Sequence, residues 1–373
     1  MENPFLVKRY ISPDFFCDRE NETKKLISSV KNNRDVTLFA FRKLGKTGLI
    51  HHLFYQLEKE DHINCIYIDI FSANKLDDFI SLFANGVYQA LTSKPMKFFK
   101  TFQDFINQIK PVVSYDSMTG VPELSFNFNS EERKISTLNE IFDFLTEQSK
   151  KKKIVIAIDE FQQITNFPEK NTEALLRTMI QKLTNINFIF SGSQKHIILQ
   201  MFTANKRPFY HSTEMLNLDK IDRKNYQKFI IRNFKKGNQF LGEAEANLIL
   251  DLTRTHTYYT QYLCNHLFSL QKDVISNTLI IQTMYDILQE YEGLFISFKH
   301  LMTRHQWQLL KAIAKEKEAE KVYSQEFIKK YDLSSTSSIK RGIGALLERE
   351  MIYEENGKYM VYDTFLSLWL ERQ

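Results

Sequence analysis

Cysteine is scarce in this chain. Only Cys17, Cys65 and Cys264 occur in 373 residues, and they are odd in number and far apart. None has a neighbour at the spacing that metal-binding cysteines need, which excludes a cysteine-based metal site. We interpret all three as buried or idle thiols, and this usage predicts a reducing compartment, the cytoplasm.

Long apolar runs and a strong charge of either sign are also missing. No segment approaches the apolar length that crosses a bilayer, and Met1 to Arg9 fits neither a signal sequence nor a transit peptide, so we expect no membrane partner. The net charge of +5 is small for this length and neither demands nor excludes an anionic partner. The length and the 43% hydrophobic content are ordinary for two or three globular domains.

The segment from Val36 to Ile50 carries the strongest signal that is present. An apolar run gives way to Gly45-Lys46-Thr47 and then to further apolar residues, the pattern of a strand, a phosphate loop and a helix. Backbone N–H groups of such a loop surround a polyphosphate, the lysine reaches the outer phosphates, and the threonine hydroxyl ligates Mg²⁺. The predicted loop residues are Ala40, Phe41, Arg42, Lys43, Leu44, Gly45, Lys46, Thr47 and Gly48.

One position of this loop departs from the motif. The motif has Gly where this chain has Ala40. A methyl group is tolerated there if φ stays negative, but it narrows the conformations open to the start of the loop. A protein that holds nucleotide without turnover therefore stays an alternative. By itself, the motif also fits a chance Gly-Lys-Thr at the start of a helix.

A second motif runs from Ile154 to Glu160. Its apolar run is typical of a strand buried on both faces of a parallel sheet, and it ends in Asp159 and Glu160. Ligands bind at the carboxyl ends of such strands. We expect Asp159 to share the magnesium ion with Thr47, and Glu160 to act on the attacking water. An isolated Asp-Glu fits a solvated turn, but the two motifs together predict nucleotide binding.

Further stretches stand out beside these motifs. They are Asn3-Pro-Phe5, Phe16 to Glu20 with Leu26, Arg42 to Thr47, Phe188 to Ser193, Arg207 to Tyr210 and Thr255 to Gln261. Together they resemble the prokaryotic ATPases often called archaeal-type ATPases, in the AAA+/STAND branch of P-loop proteins, which are similar to the origin-recognition ATPases. The likeness covers nearly the whole chain, but Thr255 and Thr257 stand where this family commonly has Gly and Pro.

The resemblance implies ATP and ADP as ligands, with Mg²⁺. It implies that Ser193 or Ser191 senses the terminal phosphate. His256 and Tyr258 would contact adenine or phosphate, and the alternative for them is a capped, packed helix start.

Six charged residues are further candidates for the site, the first three of them through the same resemblance. Asp18, Arg19 and Glu20 would shape the base pocket, the alternative being a helix cap. Arg207, like the loop residues Arg42 and Lys43, is a candidate cation for transition-state charge, the alternative being a solvated or structural side chain.

Three blocks are predicted along the chain. Residues 1–212 alternate strands with helices, which predicts an α/β fold with a P-loop parallel sheet flanked by helices. Residues 213–301 predict an α-helical lid, and residues 302–373 a C-terminal winged helix with its wing turn at Asn356-Gly357. The predicted strands are Thr37 to Ala40, Cys65 to Ile70, Ile154 to Ile158, Phe188 to Phe190 and, as a fifth, Met215 to Leu218.

A segment at about residues 94–134 interrupts the first block. Its alternating apolar pattern around Ser117 to Gly120 predicts an inserted β-hairpin. The hairpin is interpreted either as a family-typical decoration or as a partner surface.

The winged helix raises the question of DNA. Lys340 and Arg341 are predicted to point outward, where they would meet phosphates, but carboxylates accompany them and repel a phosphate backbone. An intramolecular or protein-docking role is therefore favoured over DNA binding. The carboxylates are Glu348, Glu350, Glu354 and Glu355.

These observations predict a slow ATP-hydrolysing switch that couples nucleotide state to movement of the lid and winged helix. Its partners would be a nucleotide and an unidentified protein, and its oligomeric state is left open. The alternatives are a nucleotide-dependent DNA-binding factor and a regulatory scaffold without turnover.

Overall fold

The computed structural model describes residues 2–60, 62–92, 106, 109–115 and 122–373. The chain divides into two compact units, and the first is Arg9–Lys220. The second is Ile221–Gln373 together with the N-terminal segment that ends at Lys8. The predicted block borders after residues 212 and 301 stay a prediction.

A parallel sheet of five strands forms the centre of the first unit. The strand order is β2 (Ile63–Asp69), β5 (Lys153–Asp159), β6 (Ile186–Gly192), β1 (Val36–Phe39) and β7 (Glu214–Asn217). The strand that leads into the phosphate loop, β1, therefore lies two places from β5, which carries Asp159. The five predicted strands are all present. The strands are β1 Val36–Phe39, β2 Ile63–Asp69, β3 Val112–Tyr115, β4 Pro122–Ser125, β5 Lys153–Asp159, β6 Ile186–Gly192 and β7 Glu214–Asn217.

Helices cover this sheet because its strands are apolar on both faces. Strands β1 and β6 are buried along their whole length, and apolar clusters pack on both sides of the sheet. Burial of that kind is the main stabilising term in an α/β core. The helices are α1 Glu20–Lys31, α2 Lys46–Leu57, α3 Leu76–Thr92, α4 Glu131–Ser149, α5 Thr172–Ile180 and α6 Lys195–Thr203.

Two strands lie outside the sheet, in the segment where the hairpin is predicted. Strands β3 and β4 pair antiparallel, with Val113 opposite Leu124. The side chain of Asn85 on α3 binds both backbone groups of Leu124, at 2.8 Å to its N–H and 2.7 Å to its carbonyl, and this fastens β4 to the unit. The predicted turn at Ser117 to Gly120 lies outside the described residues.

Five helices begin the second unit. Asp222 caps the first by accepting from the N–H of Asn225 at 3.0 Å, and Gly242 precedes the second. Phe5 is fully buried against Phe229 and Phe234, which is why the N-terminal segment belongs here. The helices are α7 Arg223–Lys236, α8 Glu243–Leu252, α9 Thr257–Ser269, α10 Asn277–Glu290 and α11 Glu292–His300.

The rest of the second unit is a winged helix, as predicted. Ser335 caps its third helix, and Ile339, Ile343 and Leu346 of that helix are buried on one face. Asn356 and Gly357 turn the wing in the left-handed backbone region, with φ of 53° and 77°. The elements are α12 Arg304–Glu316, α13 Gln325–Lys330, α14 Thr336–Glu348, β8 Ile352–Glu355, β9 Lys358–Val361 and α15 Thr364–Glu371.

Across the described ranges, every helix is too short or too polar to cross a membrane.

Candidate nucleotide site

The phosphate loop connects β1 to α2. Gly45 has φ 100° and stands immediately before α2, a conformation that favours glycine, while Lys43 takes φ 62°. Ala40 is 1% exposed and is not among the residues with positive φ. The methyl group of Ala40 therefore packs in the core without conflict with its backbone.

Lys46 is the first residue of α2, and its side chain is buried. Burial lowers the pKa of its ammonium, while the carboxylates of Glu160 and Asp159 act in the opposite direction. Arg42 adds to the lowering because it is a like charge nearby. A desolvated cation at the start of a helix is a place where phosphate oxygens are stabilised.

Thr47 meets Asp159, so the structure brings the two sequence motifs together. The Thr47 hydroxyl donates to Asp159 Oδ2 at 2.7 Å, and the Tyr67 hydroxyl donates to the same oxygen at 2.8 Å. The backbone N–H of Glu160 donates to Oδ1 at 3.0 Å. Asp159 is 3% exposed, and these donors stabilise its buried charge.

Sequence reasoning missed Tyr67. Burial and the neighbouring Asp159 raise the pKa of its phenol, so it remains a hydrogen-bond donor at neutral pH. Tyr67 lies on β2 opposite Ala157 of β5, two residues before both strands end at the pair Asp69 and Asp159. Side chains alternate along a strand, so the sequence would place Tyr67 on the same side of the sheet as Asp159 only if the register of β2 against β5 were already known.

Glu160 lies beside Ser193. Its Oε2 accepts from the Ser193 hydroxyl at 2.7 Å and from the Gln162 amide at 2.6 Å. Ser193 follows Gly192, the last residue of β6, and so lies at the carboxyl end of that strand. Ser191 is fully buried within β6, opposite Leu38 of β1, and its hydroxyl has no hydrogen-bond partner among the described residues. The structure thus brings Ser193, and not Ser191, to Glu160.

Arg19 connects the start of α1 to the phosphate loop. Asp18 and Arg19 both have positive φ, and Arg19 is the residue before the helix. Its guanidinium donates to the carbonyls of Leu44 at 3.4 Å and Asp219 at 2.6 Å. Glu20 begins the helix, and a hydrogen bond shared with Asp18 raises the pKa of its carboxyl. Arg19 therefore contacts the loop, and the role of Asp18, Arg19 and Glu20 in shaping the base pocket stays a prediction.

Arg207 pairs with a carboxylate outside the two motifs. Its guanidinium forms an ion pair with Glu173 on α5. Burial raises the pKa of the Glu173 carboxyl, and Arg207 partly offsets that rise. This pairing fits the structural alternative, and a role for Arg207 at the transition state stays a prediction.

His256 and Tyr258 lie in the second unit, at the start of α9. His256 precedes the helix, and Tyr258 packs against Tyr259 and Tyr262. Burial raises the pKa of Tyr258 to about 12. Their contact with adenine or phosphate stays a prediction.

Residues Asn74 to Asp77 fit the Asn-Lys-x-Asp pattern of guanine-reading loops. Here Asp77 forms an ion pair with Lys134 at 2.5 Å, and the N–H of Asn74 donates to Asp78 at 2.9 Å. The segment therefore fastens the start of α3, and it does not argue for GTP.

A parallel sheet that carries a phosphate loop on one strand and paired carboxylates on another defines a P-loop nucleoside triphosphatase. The family model described as "ATPase domain predominantly from Archaea" matches residues 16–263. The chain belongs to this ATPase family. A second model, described as "Probable winged helix domain", matches residues 293–372.

Solved structures show the same fold. The Walker-type ATPase PABY2304 of Pyrococcus abyssi aligns with a TM-score of 0.68 at 17% identity, over 98% of this chain and 99% of the other. The ORC2 protein of Aeropyrum pernix, in ADPNP-ADP complexes, aligns with a TM-score of 0.61 at 14% identity, over 100% and 96%. The comparison with curated proteins gave no match. The predicted family and fold class are confirmed, and the chain is a nucleotide-binding ATPase.

Proposed function

We propose that this ATPase is a slow switch of the STAND type, in which the nucleotide state sets the position of the helical segment and the winged helix. One observation carries the proposal. A single network joins the phosphate loop, the second motif and the end of β6, through the bonds of Thr47 to Asp159 and of Ser193 to Glu160. Such a network can sense whether a terminal phosphate is present.

The residues at the loop fit a magnesium nucleotide. Thr47 and Asp159 present oxygen atoms, the ligands that Mg²⁺ prefers, and they already lie within hydrogen-bond distance of each other. Among the residues that the structure describes, no group of three or more His, Cys, Asp or Glu side chains forms a metal site. That suits Mg²⁺, which binds through one or two protein ligands and substrate phosphates, and which neutralises phosphate charge when bound.

Glu160 and Lys46 have different tasks in this proposal. Lys46 stabilises negative charge on the outer phosphates, because its buried ammonium is poorly solvated. Glu160 accepts a hydrogen bond from the attacking water and orients it. Ser193, which now donates to Glu160, exchanges that contact for one with the terminal phosphate.

Movement follows from the loss of that phosphate. Hydrolysis removes charge-assisted contacts to the loop and to Ser193, and the second unit then reorients with its partner surface. On the winged helix, exposed Lys340 and Arg341 lie on the same helix as exposed Glu348, which supports a protein partner over DNA.

Calorimetry with ATP and ADP in the presence of Mg²⁺, followed by phosphate release, tests the proposal. We expect binding by the wild type and by Glu160→Gln, with the rate of Glu160→Gln lowered about 100-fold or more. Lys46→Ala is the binding-deficient control. Binding without any Glu160-dependent release would instead identify a nucleotide-holding scaffold.

Limited proteolysis tests the coupling. The wild type should give different cleavage patterns with ATP and with ADP, and Lys46→Ala should give one pattern throughout. Identical patterns for the wild type would remove the switch and leave a simple ATPase.

A further inference from the structure

The carboxylate of Glu160 is held from one side only. Both strong donors, the Gln162 amide at 2.6 Å and the Ser193 hydroxyl at 2.7 Å, bind the same oxygen, Oε2. Among the described residues, none donates a hydrogen bond to Oε1. The arrangement therefore fixes the carboxylate and leaves one oxygen available to a water molecule.

Local backbone conformation brings Gln162 back to Glu160. Glu160 has φ 56° and ψ 38°, and it precedes the short 3-10 helix Phe161–Asn166. Phe161 is fully buried among aromatic side chains that include Phe190 and Phe209. This anchor sets the turn, so the Gln162 amide reaches the carboxylate two residues earlier.

Gln162 occupies a site built for its side chain. It is 3% exposed, and its Oε1 has no hydrogen-bond partner among the described residues. A Cβ on Gly192 would lie 2.4 Å from that oxygen, so glycine at the end of β6 leaves the room that the amide needs. A buried unpaired acceptor costs free energy, which the bond to the Glu160 carboxylate offsets.

Ser193 alone cannot serve both Glu160 and a phosphate. A serine hydroxyl has one proton, so a proton donated to Glu160 is not available to a phosphate oxygen. When the Ser193 hydroxyl donates its hydrogen bond to the terminal phosphate instead, the Gln162 amide still donates to Oε2 of Glu160.

We propose that Gln162 is a positioning residue, which holds Glu160 in place for the attacking water while Ser193 changes its partner to the terminal phosphate. The proposal rests on the proposed hydrolysis and assigns to this family member a role for the residue two places after the catalytic glutamate. Gln162 itself need not touch the nucleotide.

Gln162→Met is the first variant, because methionine keeps the length and volume of the side chain and removes the donor. We expect kcat to fall about tenfold or more, since small displacements of a reacting group are costly. The Kd for ATP should stay within about twofold, because the contact is not made to the ground-state nucleotide. Gln163→Met is the matched control, since the Gln163 amide donates to the carbonyl of Ala73 instead.

A double-mutant cycle separates positioning from general damage. In the Glu160→Gln background, the single-turnover rate should not fall further when Gln162 becomes Met, because Gln162 acts through Glu160. A further fall of equal size would overturn the proposal, because it would mean that Gln162 acts independently of Glu160.

Gly192→Ala is a second way to displace the Gln162 amide from Glu160. This variant keeps the side chains of both Gln162 and Glu160. Its new methyl group meets the Gln162 amide and, at 3.0 Å, Ile198. Gly192→Ala should lower kcat in the wild type and add no loss to Gln162→Met. Thermal melting confirms that each variant is folded.

The outcomes separate the two proposals. A wild type that binds ATP without releasing phosphate overturns both. If the wild type shows Glu160-dependent turnover, and Gln162→Met and Gly192→Ala leave that turnover unchanged, only the positioning role of Gln162 is overturned.

Discussion

At the scale of single residues, Ala40 shows how a motif departure is absorbed. The motif has glycine there, and glycine is needed only where φ is positive or where a side chain would collide. In this chain Ala40 has neither a positive φ nor an exposed methyl group, and its N–H donates to the carbonyl of Gly192 at 3.4 Å. Ala40 is thus part of the core beneath the loop.

Ala40→Gly should therefore leave nucleotide binding unchanged. We expect the Kd for ATP to stay within about twofold, and the free energy of unfolding to fall by about 1 kcal/mol, from lost methyl burial and added backbone freedom. Calorimetry and denaturant unfolding measure the two. A tenfold gain in affinity for ATP would show instead that the methyl group restrains the loop.

Part of the site could be predicted from the sequence because its residues are contiguous there. Gly45, Lys46 and Thr47 form one motif and Asp159 and Glu160 another, and each depends only on a strand end followed by a turn. Tyr67 and Gln162 could not be predicted in this way. The contact of Tyr67 depends on the pairing of β2 with β5, and that of Gln162 on the positive φ of Glu160. No local sequence pattern predicts that pairing or that backbone conformation.

At the scale of secondary-structure elements, the strands were predictable because buried parallel strands are continuous apolar runs. The strand order was not predictable, because an apolar run does not indicate which strands lie beside it in the sheet. The order matters most for Ser191 and Ser193. Both were candidates, and only the end of β6 at Gly192 decides that Ser193 reaches Glu160.

The junction between β1 and β6 makes a pH-dependent prediction. Asp35, just before β1, accepts from the N–H of Phe188 on β6 at 2.8 Å, yet burial raises the pKa of its carboxyl above the ordinary 3.8. The folded state therefore holds the proton more tightly, and stability is lost as pH rises through the raised pKa. Asp35→Asn keeps an acceptor oxygen and removes the charge.

We expect Asp35→Asn to melt at a higher temperature than the wild type at neutral pH, with the gain vanishing below the ordinary pKa. Thermal melts across that pH range measure the difference. Asp143→Asn, at an exposed position of α4, should leave the melting temperature unchanged at every pH. A lower melting temperature for Asp35→Asn at neutral pH would contradict the argument.

At the scale of the whole molecule, the winged helix carries mixed charge. Lys340 and Arg341 are exposed, but so are Glu348 and Glu354. Affinity for duplex DNA comes mainly from neutralised phosphates, and each carboxylate opposes it.

We therefore expect duplex DNA to bind no more tightly than about 10⁻⁵ M at physiological salt, the range of non-specific binding. Lys340→Glu combined with Arg341→Glu should leave that weak binding and the ATPase rate nearly unchanged. Fluorescence anisotropy over a salt series measures the affinity for DNA. Tight, salt-sensitive binding that this double variant abolishes would favour the DNA-binding alternative.

The burial of Phe5 against Phe229 and Phe234 has a mechanical consequence. Since the segment that ends at Lys8 belongs to the second unit, the chain leaves that unit after Lys8 and returns to it after Lys220. Two peptide linkages, rather than one, therefore tether the units. A body held at two points can swing about the line through them but cannot twist freely. In the switch proposed above, the covalent path itself would therefore restrict the movements open to the second unit.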